Sequence, residues 1–224
     1  MMPRGLMLFA AGFGTRMGAL TADRPKPLVE VAGRALIDHA LDVIKPVVSG
    51  PIVTNLHYRA DQLVAHLAGT GVRTIRETPK ILDTGGGLRH ALPLLGNGPV
   101  WTMNSDAVWG GVNPLRLLQE HWREGMEALL LGVPPEKAIG HDSPGDFTPG
   151  PPVARGPGLI YTGAQIIRTE GLADIPDTTF SLNKLWDGML ERGTLHVIPY
   201  PGEWCDVGHP AGIALAEEML ARHV

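Results

Sequence analysis

The sequence has few features typical of exported, membrane-spanning or nucleic-acid-binding proteins. Its one cysteine, Cys205, cannot form a disulfide within the chain, and no Cys-x-x-Cys pair offers a zinc site. The apolar run at residues 6–11 is far shorter than the roughly 20 residues that cross a bilayer. A formal net charge of −4 provides no overall basic surface for nucleic acid or an acidic membrane. We therefore expect a cytoplasmic protein that binds neither nucleic acid nor a membrane.

Several common catalytic and targeting patterns are also missing. The sequence has no Gly-x-Ser-x-Gly or His-Glu-x-x-His motif, and its histidines are scattered without metal-ligand spacing. The short apolar run near the start is followed at once by Gly12, Gly14 and Arg16, unlike the small uncharged residues of a signal-peptide cleavage region. We expect neither a serine hydrolase nor a zinc protease, and no export.

The spacing of apolar residues predicts one α/β domain over residues 1–224. Predicted strands cover residues 6–10, 51–55, 72–75, 99–103, 128–133, 159–168 and 195–198. Predicted helices cover residues 35–45, 59–67, a stretch near 88–95, 114–122, 180–190 and 211–222. Alternation of this kind predicts a mostly parallel central sheet with helices on both faces. Ligands then bind at the carboxyl ends of the strands.

Residues 134–158 interrupt this alternation. Seven prolines and five glycines in 25 residues argue against a helix and predict a long loop or loose hairpin. Such a segment is either a surface excursion or a loop that helps to close a binding site.

The first predicted strand leads into a glycine loop with nearby cations. Gly12 and Gly14 would let successive backbone N–H groups point at one anion, and Arg16 and Lys26 add positive charge. Pro25 and Pro27 hold Lys26 on a stiff segment. A dinucleotide fingerprint would need glycine where Met17 stands, and the P-loop pattern is absent. The alternative is a structural turn with two solvated cations.

Two isolated aspartates are candidate ligands of Mg²⁺. Asp106 follows the predicted strand 99–103, and Asp206 precedes the last predicted helix. Carboxylates at strand ends suit a hard cation that also binds substrate phosphates, provided that the two converge. Alternatively, Asp106 forms a turn or an N-cap leading to Pro114.

Residues 84–87 carry three consecutive glycines after a possible N-cap, Thr84. Glycine within a helix costs roughly 1 kcal/mol relative to alanine, so something must require the missing side chains. A flat ligand lying on the backbone and close packing of the helix are equally good explanations.

Taken in order, these segments resemble the sugar-phosphate nucleotidyltransferases, whose signature is G-x-G-T-R followed by P-K-P. The match here is Gly12-Phe13-Gly14-Thr15-Arg16 with Pro25-Lys26-Pro27. It extends over nearly the whole chain, through residues 83–87, Asn104-Ser105-Asp106, 161–163 and 204–208. The resemblance implies a Rossmann-like fold of the GT-A type. It also implies Mg²⁺ as cofactor and a nucleoside triphosphate and a sugar 1-phosphate as substrates.

The resemblance also implies roles for particular residues. Arg16 would bind the departing pyrophosphate, Lys26 the reacting phosphate, and Asp106 and Asp206 the Mg²⁺ ion. The implied nucleotide contacts are Ala11, Gly12, Gly14, Leu82, Thr84, Gly85 and Asn104. The implied sugar contacts are Gly163 and Asn183.

Within the family, the chain is most similar to the short N-acetylmuramate α-1-phosphate uridylyltransferases of cell-wall recycling, on residues 83–87, 91–96 and 145–147. This implies UTP as the donor. Guanylyl transfer to mannose 1-phosphate and thymidylyl or uridylyl transfer to glucose 1-phosphate remain alternatives. From other classes, an NAD-dependent oxidoreductase and a non-catalytic sensor of nucleotide-sugars also remain.

Overall fold

The structure is a computed structural model that describes residues 1–223. Its strands are β1 (Leu6–Phe9), β2 (Glu30–Val31), β3 (Arg34–Ala35), β4 (Ile52–Leu56), β5 (Arg73–Arg76), β6 (Val100–Asn104), β7 (Ala107–Gly110), β8 (Ala128–Val133), β9 (Ala138–Ile139), β10 (Phe147–Thr148), β11 (Ala154–Arg155), β12 (Ile160–Ile167), β13 (Leu195–Pro199) and β14 (Glu203–Asp206). Its α-helices are α1 (Leu36–Ile44), α2 (Ala60–Leu67), α3 (Asp83–Leu95), α4 (Pro114–His121), α5 (Asn183–Glu191) and α6 (Ala211–Arg222). Each predicted strand and helix has a counterpart, displaced by a few residues at most except at the start of α3.

The central sheet is mostly parallel, which confirms the predicted fold class. Its seven strands have the order β13-β8-β12-β6-β1-β4-β5, and the single antiparallel strand, β12, pairs with β6 and β8. The chain runs outward from β1 through β4 to β5 and then returns to the other side of β1 as β6. The strand order therefore reverses between β1 and β6, where a doubly wound sheet forms its binding crevice.

Helices cover both faces of this sheet because the central strands are apolar in both directions. In β1, Leu6 and Leu8 pack with the core that includes residues of α1, α2 and α4. Met7, which points the other way, packs with residues of α3 and α5. Near-continuous apolar strands of this kind are stable only when both of their faces are covered.

A smaller sheet, β7-β14-β9, was not predicted from the sequence. It packs against α6, and Cys205 of β14 and Met219 of α6 are fully buried in their shared core. The strands of this sheet have four residues or fewer, too short to produce a clear alternation of apolar and polar residues. Among residues 1–223, no helix is long and apolar enough to span a membrane.

Residues 134–158 form more structure than a loop. They contain a short 3-10 turn at Pro135–Lys137, strand β9 and the hairpin of β10 and β11. Phe147 on the hairpin is buried, and its ring packs edge-on to that of Trp186. The hairpin is therefore anchored to the core, and its closing role stays a prediction.

Candidate active site

A cleft opens at the switch point between β1 and β6. It is lined by Phe9, Ala10, Ala11, Gly12, Lys26, Pro27, Asn55, Ile81, Asp83, Thr84, Asn104, Ser105 and Asp106. Four of the predicted nucleotide contacts lie along it, namely Ala11, Gly12, Thr84 and Asn104. Lys26 and Asp106 line the same cleft, so residues from three distant parts of the chain meet here.

The two glycines of the first loop have different surroundings. An added Cβ at Gly12 would meet no protein atom within 4 Å, which leaves the space beside its backbone open to a ligand. Gly14 has a φ of 65°, and a Cβ there would lie 2.8 Å from the Cβ of Lys26. Gly14 therefore allows the glycine loop to pack closely against the lysine segment, and it does not line the cleft.

Lys26 is held inside the cleft by an ion pair. It is the first residue of a short 3-10 turn, Lys26–Leu28, that follows Pro25, and only 8% of the residue is exposed. Its Nζ donates a hydrogen bond of 2.8 Å to Oδ2 of Asp106. The alternative of a solvated lysine on a structural turn is therefore wrong. A phosphate in the cleft could accept a hydrogen bond from the Lys26 amine, either beside Asp106 or in its place.

Asp106 and Asp206 converge through the pairing of β7 with β14. The amide of Val207 donates a 2.9 Å hydrogen bond to the carbonyl of Asp106, and Asp206 is in register with Ala107. Burial raises the pKa of Asp206, and the charge of Asp106 raises it further, while Lys26 and His141 act in the opposite direction. Asp106 is not the N-cap of α4, because Asn113 performs that function.

Arg16 lies on the Asp206 side of the site. Its exposed side chain lines a shallow depression together with Gly140, His141, Asp206 and His209, among others. Nδ1 of His141 is 3.4 Å from Oδ2 of Asp206. Both predicted cations thus lie beside the aspartates, since Lys26 contacts Asp106 and Arg16 shares a depression with Asp206.

The three glycines at the start of α3 are explained by packing within the protein. A Cβ at Gly85 would lie 2.4 Å from the ring of Phe180, one at Gly86 2.5 Å from the carbonyl oxygen of Thr178, and one at Gly87 2.6 Å from Glu77. Gly85 is buried, and its amide donates to the carbonyl of Phe180, so it does not line the cleft that was predicted to hold the base.

Thr84 is not the N-cap of α3, as the sequence had suggested. The helix begins at Asp83 after an N-cap at Leu82. The hydroxyl of Thr84 accepts a hydrogen bond of 3.0 Å from the amide of Leu182, just before α5. Thr84 lines the cleft, whereas Leu82 does not. Three glycines within the first turns of a helix are tolerated because neighbouring chain segments fill the space.

The predicted sugar contacts occupy different positions. Asn183, at the start of α5, lines a second pocket that adjoins the cleft and shares Phe9, Thr84 and Asn104 with it. Gly163 has a φ of 85°, and a Cβ there would lie 2.7 Å from the side chain of Asn104. Gly163 therefore supports Asn104 from behind and does not line either pocket.

Sequence reasoning missed a buried polar network beside the cleft. Glu77 is 1% exposed, and its carboxylate accepts hydrogen bonds of 2.7 Å from Nδ2 of Asn55 and from the amide of Leu82. Oδ1 of Asn55 in turn accepts from the amide of Ala10. The network connects the end of β1 to the loop before α3. Asn55 could have been found as a polar residue near the end of a strand beside β1, and Glu77 as a carboxylate directly after β5.

Comparison with known proteins identifies the family. A model of the MobA-like NTP transferase domain matches residues 6–221. This chain belongs to the MobA-like NTP transferase family. The NTP transferase is therefore an enzyme, and the alternatives of an NAD-dependent oxidoreductase and a silent sensor are wrong. The resemblance to sugar-phosphate nucleotidyltransferases is confirmed.

Individual relatives agree with this assignment. N-acetylmuramate alpha-1-phosphate uridylyltransferase from Caulobacter vibrioides is 37% identical to the NTP transferase over 239 residues, 98% of each chain. Mannose-1-phosphate guanyltransferase from Gibberella zeae is 30% identical over 92% of this chain, but the match covers only 61% of that protein. The crystal structure of a putative glucose-1-phosphate thymidylyltransferase from Bacillus anthracis shares the fold. Its TM-score is 0.78 at 18% identity, with 99% of this chain and 96% of that chain covered.

Proposed function

We propose that this enzyme transfers a uridylyl group from UTP to N-acetylmuramate α-1-phosphate, forming UDP-N-acetylmuramate and pyrophosphate. The observation that carries the substrate assignment is the 37% identity to the Caulobacter uridylyltransferase over 98% of both chains. The guanyltransferase relative is matched over only 61% of its own length, so it supports the substrate assignment less. A reaction in cytoplasmic cell-wall recycling follows from this choice of substrate.

The charges of the cleft suit the proposed chemistry. An oxygen of the sugar 1-phosphate attacks the α-phosphorus of UTP, a new phosphorus–oxygen bond forms, and the bond to the leaving pyrophosphate breaks. Because a phosphate monoester is already largely ionised at neutral pH, no general base is needed. The main difficulty is repulsion between two polyanions, which nearby cations and backbone N–H groups overcome.

In this proposal each charged side chain has one task. Lys26, on the Asp106 side, binds the reacting phosphate and holds it against the backbone of Ala11 and Gly12. Arg16, on the Asp206 side, binds the pyrophosphate as its charge develops. Binding the reacting phosphate and the pyrophosphate by separate cations would hold the attacking and leaving groups in position for the transfer.

Mg²⁺ fits the donor set at this site. Within residues 1–223 no group of three or more His, Cys, Asp and Glu side chains could hold a metal ion alone. Mg²⁺ commonly needs only one or two protein carboxylates together with substrate phosphates, and Asp106 and Asp206 provide two adjacent ones. When bound there, the ion would neutralise charge on the triphosphate. We therefore propose that metal and nucleotide bind together.

The test is a matrix of four nucleoside triphosphates against the 1-phosphates of N-acetylmuramate, N-acetylglucosamine, mannose and glucose, read as pyrophosphate release with Mg²⁺. We expect the highest kcat/KM for UTP with N-acetylmuramate 1-phosphate. Asp106→Asn serves as the inactive control. A maximum at GTP with mannose 1-phosphate, or at any pair with glucose 1-phosphate, would replace the proposed substrates by that pair.

A further inference from the structure

The second pocket has one cation whose role in nucleotidyl transfer is unassigned. This pocket continues the cleft from Asn104 towards α5, and its outer wall is the hairpin of β10 and β11. Arg155, on the hairpin, and Asp146 are its ionisable groups other than tyrosine. Oδ2 of Asp146 already accepts a hydrogen bond of 2.8 Å from the amide of Tyr161. Arg155 is therefore the one cation among the residues that line this pocket, and the group there that can bind an anion.

Aromatic rings and polar groups hold the guanidinium of Arg155 in place. Its central carbon lies 4.9 Å from the ring centroid of Phe147 and 5.5 Å from that of Trp186. Its Nη2 donates to Oδ1 of Asn183 at 3.0 Å and to Oδ1 of Asp187 at 2.9 Å. Both rings are almost fully buried, so one side of the guanidinium is shielded from water. Cations over aromatic rings are attracted to them while their N–H groups stay free to donate.

Most of the donors of Arg155 remain available to a ligand. An arginine has five N–H donors, and among residues 1–223 only Nη2 of Arg155 has hydrogen-bond partners. The side chain of Asp187 is 62% exposed, and an ion pair with so exposed a partner contributes little. A planar carboxylate binds two N–H groups on one edge of the guanidinium, and each such pair consists of Nη2 with either Nε or Nη1. A carboxylate ligand would therefore take the place of the exposed Asp187 on Nη2, and the unused Nε or Nη1 would donate the second hydrogen bond.

We propose that Arg155 binds a carboxylate carried by the sugar, so that the second pocket selects a sugar acid phosphate over the corresponding neutral sugar phosphate. The proposal rests on the proposed function, because N-acetylmuramate differs from N-acetylglucosamine by one lactyl ether that ends in a carboxylate. The phosphate of the same substrate lies at Lys26, in the adjoining cleft. Asn183 and Asp146, on the walls between, are placed to bind the sugar's neutral groups.

The experiment compares kcat/KM for N-acetylmuramate 1-phosphate and N-acetylglucosamine 1-phosphate, with UTP and Mg²⁺, in the wild type and in Arg155→Met. We expect the ratio of the two values to fall about 10- to 100-fold in the variant, the usual worth of a hydrogen-bonded charge pair. The loss should be in KM for N-acetylmuramate 1-phosphate. An unchanged ratio in a folded variant would overturn the proposal.

Two further variants separate ligand binding from support of the hairpin. Asp187→Asn removes the ion pair between hairpin and α5 but keeps Arg155, and it should leave the ratio within about twofold of wild type. Arg155→Lys keeps the charge without the planar fork and should give an intermediate ratio. If Asp187→Asn lowers the ratio as far as Arg155→Met does, Arg155 is a structural clamp and the proposal is wrong.

A failure of the proposed function has a different signature. If the wild type does not use N-acetylmuramate 1-phosphate with any nucleotide, the same comparison is made between glucuronate 1-phosphate and glucose 1-phosphate with the nucleotide that the enzyme accepts. A preference for the acid that Arg155→Met abolishes would support the carboxylate site without the proposed substrate. No preference for the acid would overturn both.

Discussion

The ion pair between Lys26 and Asp106 should be a large electrostatic contribution to stability before any substrate binds. The side chains of Lys26 and Asp106 are 10% and 33% exposed, and their charged atoms are 2.8 Å apart. Removing one partner of a fully buried pair costs about 3–5 kcal/mol because the other charge is left without compensation. The partial exposure of Asp106 reduces this, and we expect each single substitution, Lys26→Met or Asp106→Asn, to cost about 1–3 kcal/mol.

A double-mutant cycle isolates the interaction from the other effects of each substitution. The free energy of unfolding is measured by urea titration in metal-free buffer for the wild type, both single variants and the double variant. The coupling energy should be about 1–2.5 kcal/mol. The matched control is the exposed pair Arg34 and Asp42, whose side chains are 49% and 59% exposed, with an expected coupling below about 1 kcal/mol. Equal coupling in the two cycles would refute the argument from burial.

Three other changes have defined outcomes. Gly163→Ala places a Cβ against Asn104 at a positive φ and should lower the free energy of unfolding in urea by about 2–4 kcal/mol. Gly193→Ala is the control, because Gly193 has a φ of 67° and open space beside it, and it should cost only about 1–2 kcal/mol. Equal losses would exclude a contribution from the contact with Asn104. Tyr200→Phe removes a buried hydroxyl that donates to the carbonyl of Val112 and should cost about 1 kcal/mol at pH 7. Burial raises the pKa of Tyr200 above its usual value of 10.0, so above that pH the unfolded chain loses the proton first and the wild type should become less stable. The stability difference between Tyr200→Phe and wild type should therefore shrink as the pH rises, and a difference independent of pH would contradict this. Arg16→Ala should lower the rate of pyrophosphate release by about 100-fold without changing the melting temperature, and a near-normal rate would exclude its role.

The sequence predicted the central sheet well because its strands are apolar on both faces and are separated by turn residues and helices. It could not predict β7, β9 and β14, whose pairing depends on contacts between residues about 70 to 100 positions apart. The binding crevice was predictable for the same reason as the sheet, since Gly12 and Asp106 each follow a clear strand. Where the chain reverses its strand order, the ends of those strands must lie close together.

Within the site, residue type indicated candidate chemistry but not the position of each side chain. Lys26 and Asp106 were both candidates, but nothing in their spacing indicated that they would pair. The family resemblance implied that Gly85 and Gly163 contact ligands, whereas Phe180 and Asn104 occupy the space where their side chains would be. Arg155 carried no signal, because an arginine in a proline-rich segment is usually a solvated surface residue.

The separation of the two aspartates is fixed by the strand register between β7 and β14. Successive side chains of a strand point to opposite faces, so a shift of one residue in β14 would turn Asp206 away from Asp106 and bring Cys205 or Val207 in its place. Single-residue insertions or deletions within 203–206 should therefore abolish the reaction even in folded protein. The turn at 149–153, between β10 and β11, has no such register to keep, and variation in chain length among relatives should be concentrated there.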